Sequence, residues 1–183
     1  MRRREASGFS PGENRRCARS NEGFGRTAPK LGYSLGMKTI LAPVDFSPAT
    51  ALVLETATEL ARAISGEIVL LHVVQPPMVT SDYGLAMENV QEILAVSERA
   101  AARQLAHLQE RAGRSEVPIR TVQLNGAPVP VILEQAKALN ASYVVMGSHG
   151  HTAFYDLLVG STTHGLLKKS PCPVVIVPPK AQK

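Results

Sequence analysis

Tryptophan is absent from this 183-residue chain, and aromatic residues make up only 4% of it. Proteins that hold single-stranded nucleic acid stack its bases on aromatic rings. This sequence has little material for such platforms, and no nucleic-acid partner is expected. Cysteine is nearly as scarce. Cys17 and Cys172 stand near opposite ends, the second flanked by Pro171 and Pro173, and two such residues make no disulfide framework. A reducing, cytoplasmic setting is the simplest expectation. Long apolar runs are also missing. No stretch approaches the roughly 18 apolar residues that cross a bilayer, so no membrane partner is expected. The hydrophobic fraction of 44% is ordinary for a packed, soluble domain.

A surplus of positive charge is present, but it is not spread along the chain. The formal charge is +5, and residues 1–36 account for all of it, with eight Lys or Arg against three Glu. From Met37 onward twelve basic side chains meet twelve acidic ones. The first 36 residues are rich in Arg, Gly, Ser and Asn and show no helical or strand period. Such a segment buries too little apolar surface to offset its ordering entropy, and disorder is expected. It has no apolar core of a secretory signal, and its three Glu argue against a mitochondrial leader. Translation starting at Met37 and an arm that touches acidic lipid or nucleic acid are the other readings of this segment.

Residues 37–180 read as one domain in which strands alternate with helices. Thr39 to Val44 forms a short apolar run, and Ile68 to Val74 a continuous β-branched and leucine run of the kind covered on both faces in a parallel sheet. Ile119 to Leu124 alternates apolar with polar, which suits an edge. Tyr143 to Met146 and Val174 to Val177 complete five strands. Between them Val53, Ala57, Leu60 and Ile64 share one helical face, with Ser47 as the expected N-cap and Gly66 as the expected stop. A long second helix should end near Gly113. A third should open at Pro128 and Pro130, and a short fourth should run from Ser161 to Lys169. This alternation predicts an α/β fold, an open five-stranded parallel sheet of Rossmann-like order 3-2-1-4-5 with helices on both faces. Ligands in such sheets sit beyond the carboxyl ends of the strands, where the winding direction switches.

Two segments then converge on that point. One holds Asp45, after the first strand. The other, after the fourth strand, reads GSHGHTAFYDLLVGST, with Gly147, Gly150 and Gly160 followed by Ser161, Thr162 and Thr163. Glycines let backbone amides approach a ligand without a Cβ in the way, and amides and hydroxyls at a helix start favour an anion. This is neither a Walker loop, since no Gly-Lys-Ser or Gly-Lys-Thr occurs, nor the tight dinucleotide fingerprint. Asp45 is placed to accept from a ribose or to hold Mg2+ together with phosphate oxygens, or else to bond nearby amides at the helix start. His149 and His151 lie within reach of a phosphate or are solvated loop residues. His72, inside the second strand, reads as a hydrogen-bonded core residue.

At this point the sequence resembles the universal stress proteins, over residues 37 to 179. The likeness rests on KTILAPVDFSPAT, IVLLHVV, VVMGSHG and GSTTHGLLKKSPCPVVIVP, and on the Gly-x2-Gly-x9-Gly-Ser/Thr signature at Gly147, Gly150, Gly160 and Ser161. The signature marks the ATP-binding subgroup of that family. The resemblance implies adenine and ribose contacts near Pro43, Val44, Asp45, Val73 and Met146. It implies triphosphate contacts from Gly147, His149, Gly150, Gly160, Ser161 and Thr162. It also implies a homodimer paired through Val174 to Val177. Ser142 departs from the family, which has Asp before the fourth strand, and this should not affect the site.

The sequence therefore suggests a stress-response regulator that binds ATP or another adenine nucleotide, with little or slow hydrolysis. No Ser, His and Asp set points to a reaction centre. Two other readings stay open. One is an adenylating enzyme of the same broad superfamily, although Asp45-Phe46-Ser47-Pro48 lacks a pyrophosphate grip. The other is a ligand-free interaction module in which the glycine loop is only a turn.

Overall fold

A computed structural model describes residues 37–76, 87–113, 116–148 and 160–178. The strands are β1 (Lys38–Pro43), β2 (Gly66–Val74), β3 (Ile119–Asn125), β4 (Tyr143–Gly147) and β5 (Val174–Val177). The helices are α1 (Thr50–Ile64), α2 (Met87–Ala112), α3 (Pro128–Ala138) and α4 (Ser161–Leu167). All the strand pairs are parallel, in the order β3-β2-β1-β4-β5.

Sequence accounts for the position of each strand. In β2 the consecutive residues Ile68, Val69, Leu70 and Leu71 are fully buried, because successive side chains point to opposite faces and both faces are covered. Ile68 and Leu70 pack with Val53 and Ala57 of α1 and Leu105 of α2. Val69 and Leu71 pack with Ile132 and Ala136 of α3 and Leu166 of α4. Each large side chain removed from water contributes about 1.5–3 kcal/mol, so the two central strands anchor the fold. By contrast every residue of β3 is half-buried or exposed, as its alternating pattern suggests for an edge.

Local expectations needed correction at both ends of α1. Ser47 is not the N-cap; that position is Ala49, and the helix starts at Thr50. The chain first makes a tight turn, in which Asp45 Oδ1 accepts the Ser47 N–H at 3.0 Å. The Thr50 N–H returns to the Ser47 carbonyl at 2.9 Å. Phe46 takes a left-handed conformation, φ 62°, to allow this. At the other end Ser65, not Gly66, takes the left-handed stop, φ 52° and ψ 46°. Gly66 already belongs to β2, where a Cβ would lie 2.5 Å from the Lys38 carbonyl oxygen. The glycine thus serves strand packing rather than the helix end. The fourth helix also closes earlier than expected, at Leu167, with Lys168 and Lys169 in the following turn.

The winding direction switches at the centre of the sheet, between β1 and β4. β1 and β2 stay in register over six residue pairs, Lys38↔Gly66 to Pro43↔Leu71. Between β1 and β4 the pairs are Ile40↔Tyr143 and Leu41↔Val144. A cleft opens at the carboxyl ends of these two strands.

Candidate functional site

The cleft has a volume of about 560 Å³, within the 300–1,000 Å³ typical of small-molecule sites. β1 brings Pro43, followed by Val44 and Asp45, to one wall. Val73 of β2 and Met146 of β4 form an apolar stretch, and Gly147 ends β4 beside them. Gly160, Ser161 and Thr162 enter from the start of α4. The nine of these residues singled out in the sequence meet in one hollow although up to 119 positions separate them. His149 and Gly150, also singled out, lie outside the described residues.

Hydrogen bonds fix the rim. Thr163 is 2% exposed, and its hydroxyl donates to the carbonyls of Gly147 at 3.1 Å and Ser148 at 3.3 Å. The Gly160 N–H donates to the Ser148 carbonyl at 2.8 Å, and the Ser148 N–H to that of Val177. Ser148 and Gly160, which bracket the glycine-rich segment, are therefore directly joined. Thr163 belongs to the scaffold of the site, whereas the exposed Ser161 and half-buried Thr162 are open to a ligand.

On the opposite wall, the Asp45 carboxylate holds the β1–α1 turn through Ser47. This makes Asp45 a structural residue and a cleft residue at once. His72 projects to the other face of the sheet. Its Nδ1 lies 2.8 Å from the Val44 carbonyl oxygen, and its ring lies against Phe46 with centroids 4.2 Å apart. The histidine thus supports the turn from behind and takes no part in the cleft.

Sequence reasoning missed a third segment. Ala127, Pro128, Val129 and Pro130, at the start of α3, also line the hollow, as does Gln75 after β2. The prolines were read only as helix openers. Their available signal was position: they directly follow the Asn125-Gly126 turn that ends a strand, and strand ends are where such sheets bind ligands.

Chemically the lining combines apolar side chains, small hydroxyls and the Asp45 carboxylate, and among the described residues it contains no Lys, Arg, His or Cys. Among the described residues there is also no group of three His, Cys, Asp or Glu placed to hold a metal ion. No described helix is long and apolar enough to cross a membrane.

Known proteins share this architecture. The solved structure of universal stress protein UspA from Lactobacillus plantarum superposes with a TM-score of 0.70 at 23% identity, covering 76% of this chain and 97% of that one. A universal stress protein solved in complex with cAMP gives a TM-score of 0.58 at 20% identity, over 76% of this chain and 96% of that one. At those identities the likeness shows the fold. Sequence goes further: universal stress protein YxiE of Bacillus subtilis is 30% identical over 143 residues, 75% of this chain and 97% of that protein. The model of the universal stress protein family matches residues 36–178. With the family model, the sheet order and a relative matched over nearly its whole length in agreement, this chain belongs to the universal stress protein family.

Proposed function

We propose that the cleft binds an adenine nucleotide, ATP in the first instance, and that the protein acts as a nucleotide-dependent regulator of a stress response. The observation that carries this reading is the meeting of the β1 and β4 ends with the start of α4 around one hollow. Its residues fit the ligand. Val73 and Met146 offer an apolar bed for the base, and Asp45 stands where a ribose hydroxyl can donate to it. Ser161, Thr162 and the amides around Gly147 and Gly160 provide donors for phosphate oxygens. His149 and Gly150 complete the phosphate set proposed from the sequence.

Mg2+ suits this arrangement as a companion of the phosphates, since it is commonly held by one or two carboxylates plus phosphate oxygens. Asp45 is the carboxylate that would hold it. The lining supplies no further titratable side chain among the described residues, so hydrolysis is expected to be slow or absent. A cytoplasmic homodimer completes the proposal. β5 ends the sheet order, and its outer edge leaves a row of backbone groups suited to pairing with a second copy.

Isothermal titration of the full chain with Mg-ATP, and separately with cAMP, tests the reading. Saturable heat with ATP supports it. Saturation with cAMP alone would move the assignment to another adenine nucleotide, and no heat with either would refute it.

A further inference from the structure

We propose that the groove between α2 and the β1–α1 turn is a second binding site, for the phosphate or pyrophosphate group of a small anionic molecule. Its first sign is in α2. Arg99, Arg103, His107 and Arg111 recur at every fourth residue, which stacks them along one side of the helix with about 6 Å of rise per step. Arg99 and Arg103 are like charges at a spacing that destabilises a helix. The positions three and four residues from each contain a single acid, Glu110, three after His107. Among the described residues none of the three arginines makes an ion pair; the pair formed is Arg120 with Glu67.

The second sign is a hollow beside that stripe. It measures about 380 Å³ and is bounded by Arg103, His107 and Arg111 on one wall and by Phe46, Pro48 and Ala51 on the other. No carboxylate lines it among the described residues. Two arginines separated by about 12 Å of helix rise can close on a group the size of pyrophosphate from both ends.

Ser47 and Thr50 provide the third sign. They line this hollow and the nucleotide cleft alike, so the β1–α1 turn is the wall between the two. Each is only 6% exposed. The backbone N–H and carbonyl of Ser47 are both used within the turn, yet its hydroxyl oxygen and that of Thr50 have no partner among the described residues. Buried hydroxyls without partners are uncommon. Anionic oxygens seated between arginines are the acceptors such donors require. The chain from Met37 onward has equal numbers of acidic and basic side chains, which favours a small ligand over a long polyanion.

Inorganic pyrophosphate and inorganic phosphate are the probes. Each is titrated into the full chain while NMR follows the His107 ring and the Ser161 and Thr162 amides. The His107 signals should shift saturably. The Arg103→Glu/Arg111→Glu variant, changed only at exposed positions, should weaken that response by about tenfold or more and leave any response at Ser161 and Thr162 unaltered. An unchanged His107 response in the variant overturns the proposal. So does a response confined to Ser161 and Thr162, which would assign the anion to the nucleotide cleft and leave the nucleotide reading standing. A His107 response to oligonucleotide alone would also overturn it. A His107 response without nucleotide binding would sustain this site while the other failed.

Discussion

The Thr163 hydroxyl donates to the Gly147 carbonyl across 3.1 Å, linking the first turn of α4 to the end of β4. That bond is partly buried, and the second one, from Thr163 to the Ser148 carbonyl, is fully buried. Thr163→Val keeps the shape and removes the donor, and it should cost about 1–2 kcal/mol in urea unfolding. Thr163→Ser should retain most of that stability. If the valine variant unfolds at the wild-type midpoint, this bond is not what holds the rim.

Ser65 and Gly66 should respond in opposite directions. Ser65 sits at φ 52°, where glycine has no Cβ to strain, so Ser65→Gly should raise stability by about 0.5–1 kcal/mol. Gly66→Ala puts a Cβ 2.5 Å from the Lys38 carbonyl oxygen and should destabilise by about 1–3 kcal/mol. Denaturant midpoints of the two variants on the same side of wild type would disprove this division of roles.

A tight contact joins α3 to α4 at Gly165 and Val129. A Cβ on residue 165 would meet Val129 Cγ2 at 2.9 Å. Alanine in a helix gains about 0.5–1 kcal/mol over glycine, whereas overpacking a stiff β-branched neighbour costs about 1–3 kcal/mol. Overpacking wins, and Gly165→Ala should lower the melting temperature. Adding Val129→Ala should restore part of the loss, and a simple sum of the two single effects would show that the residues do not press on each other.

Asp45→Asn separates charge from turn geometry. The amide oxygen can still accept the Ser47 N–H that Asp45 Oδ1 holds at 3.0 Å, so thermal stability should change by less than about 1 kcal/mol. Mg-ATP affinity should fall by about tenfold, in line with the strength of hydrogen bonds to charged groups. Equal affinity in the two proteins would remove Asp45 from the nucleotide site.

Cys172 should make stability sensitive to alkaline pH. Burial pushes its thiol above the usual range, partly offset by the hydrogen bond with Ser170. The folded state therefore favours the protonated form. This contribution is complete below the unfolded thiol's value and is lost as pH rises through the higher folded one. Cys172→Ala should flatten the decline in unfolding midpoint on the alkaline side. An identical decline in wild type and variant would place its source elsewhere.

The sheet was legible because its signals are local. The run from Ile68 to Val74 and the short apolar segments before Asp45 and Gly147 are strands by composition, and their order follows from general winding rules. Much of the site was legible for the same reason, since strand ends locate the switch point. The start of α1 was not. Its position depends on Asp45 bonding Ser47 and on Phe46 resting against His72, a residue 26 positions away. The start of α3 was overlooked because Pro128 and Pro130 satisfy a helix opening without a ligand. The groove beside Arg103, His107 and Arg111 needs the packing of α2 against the β1–α1 turn, and periodicity cannot supply that.

The short β1–β4 ladder also marks a boundary within the sheet. β2 and β3 lie on the β1 side and β5 on the β4 side, and the short ladder at Ile40 and Leu41 is the seam between them. A nucleotide held in the cleft, as proposed, would touch both sets of strands at once, since Val73 and Met146 line it from the two sides of the seam. Its contact with β4 would be relayed to the outer margin at Val174–Val177 through the four paired residues of β4 and β5.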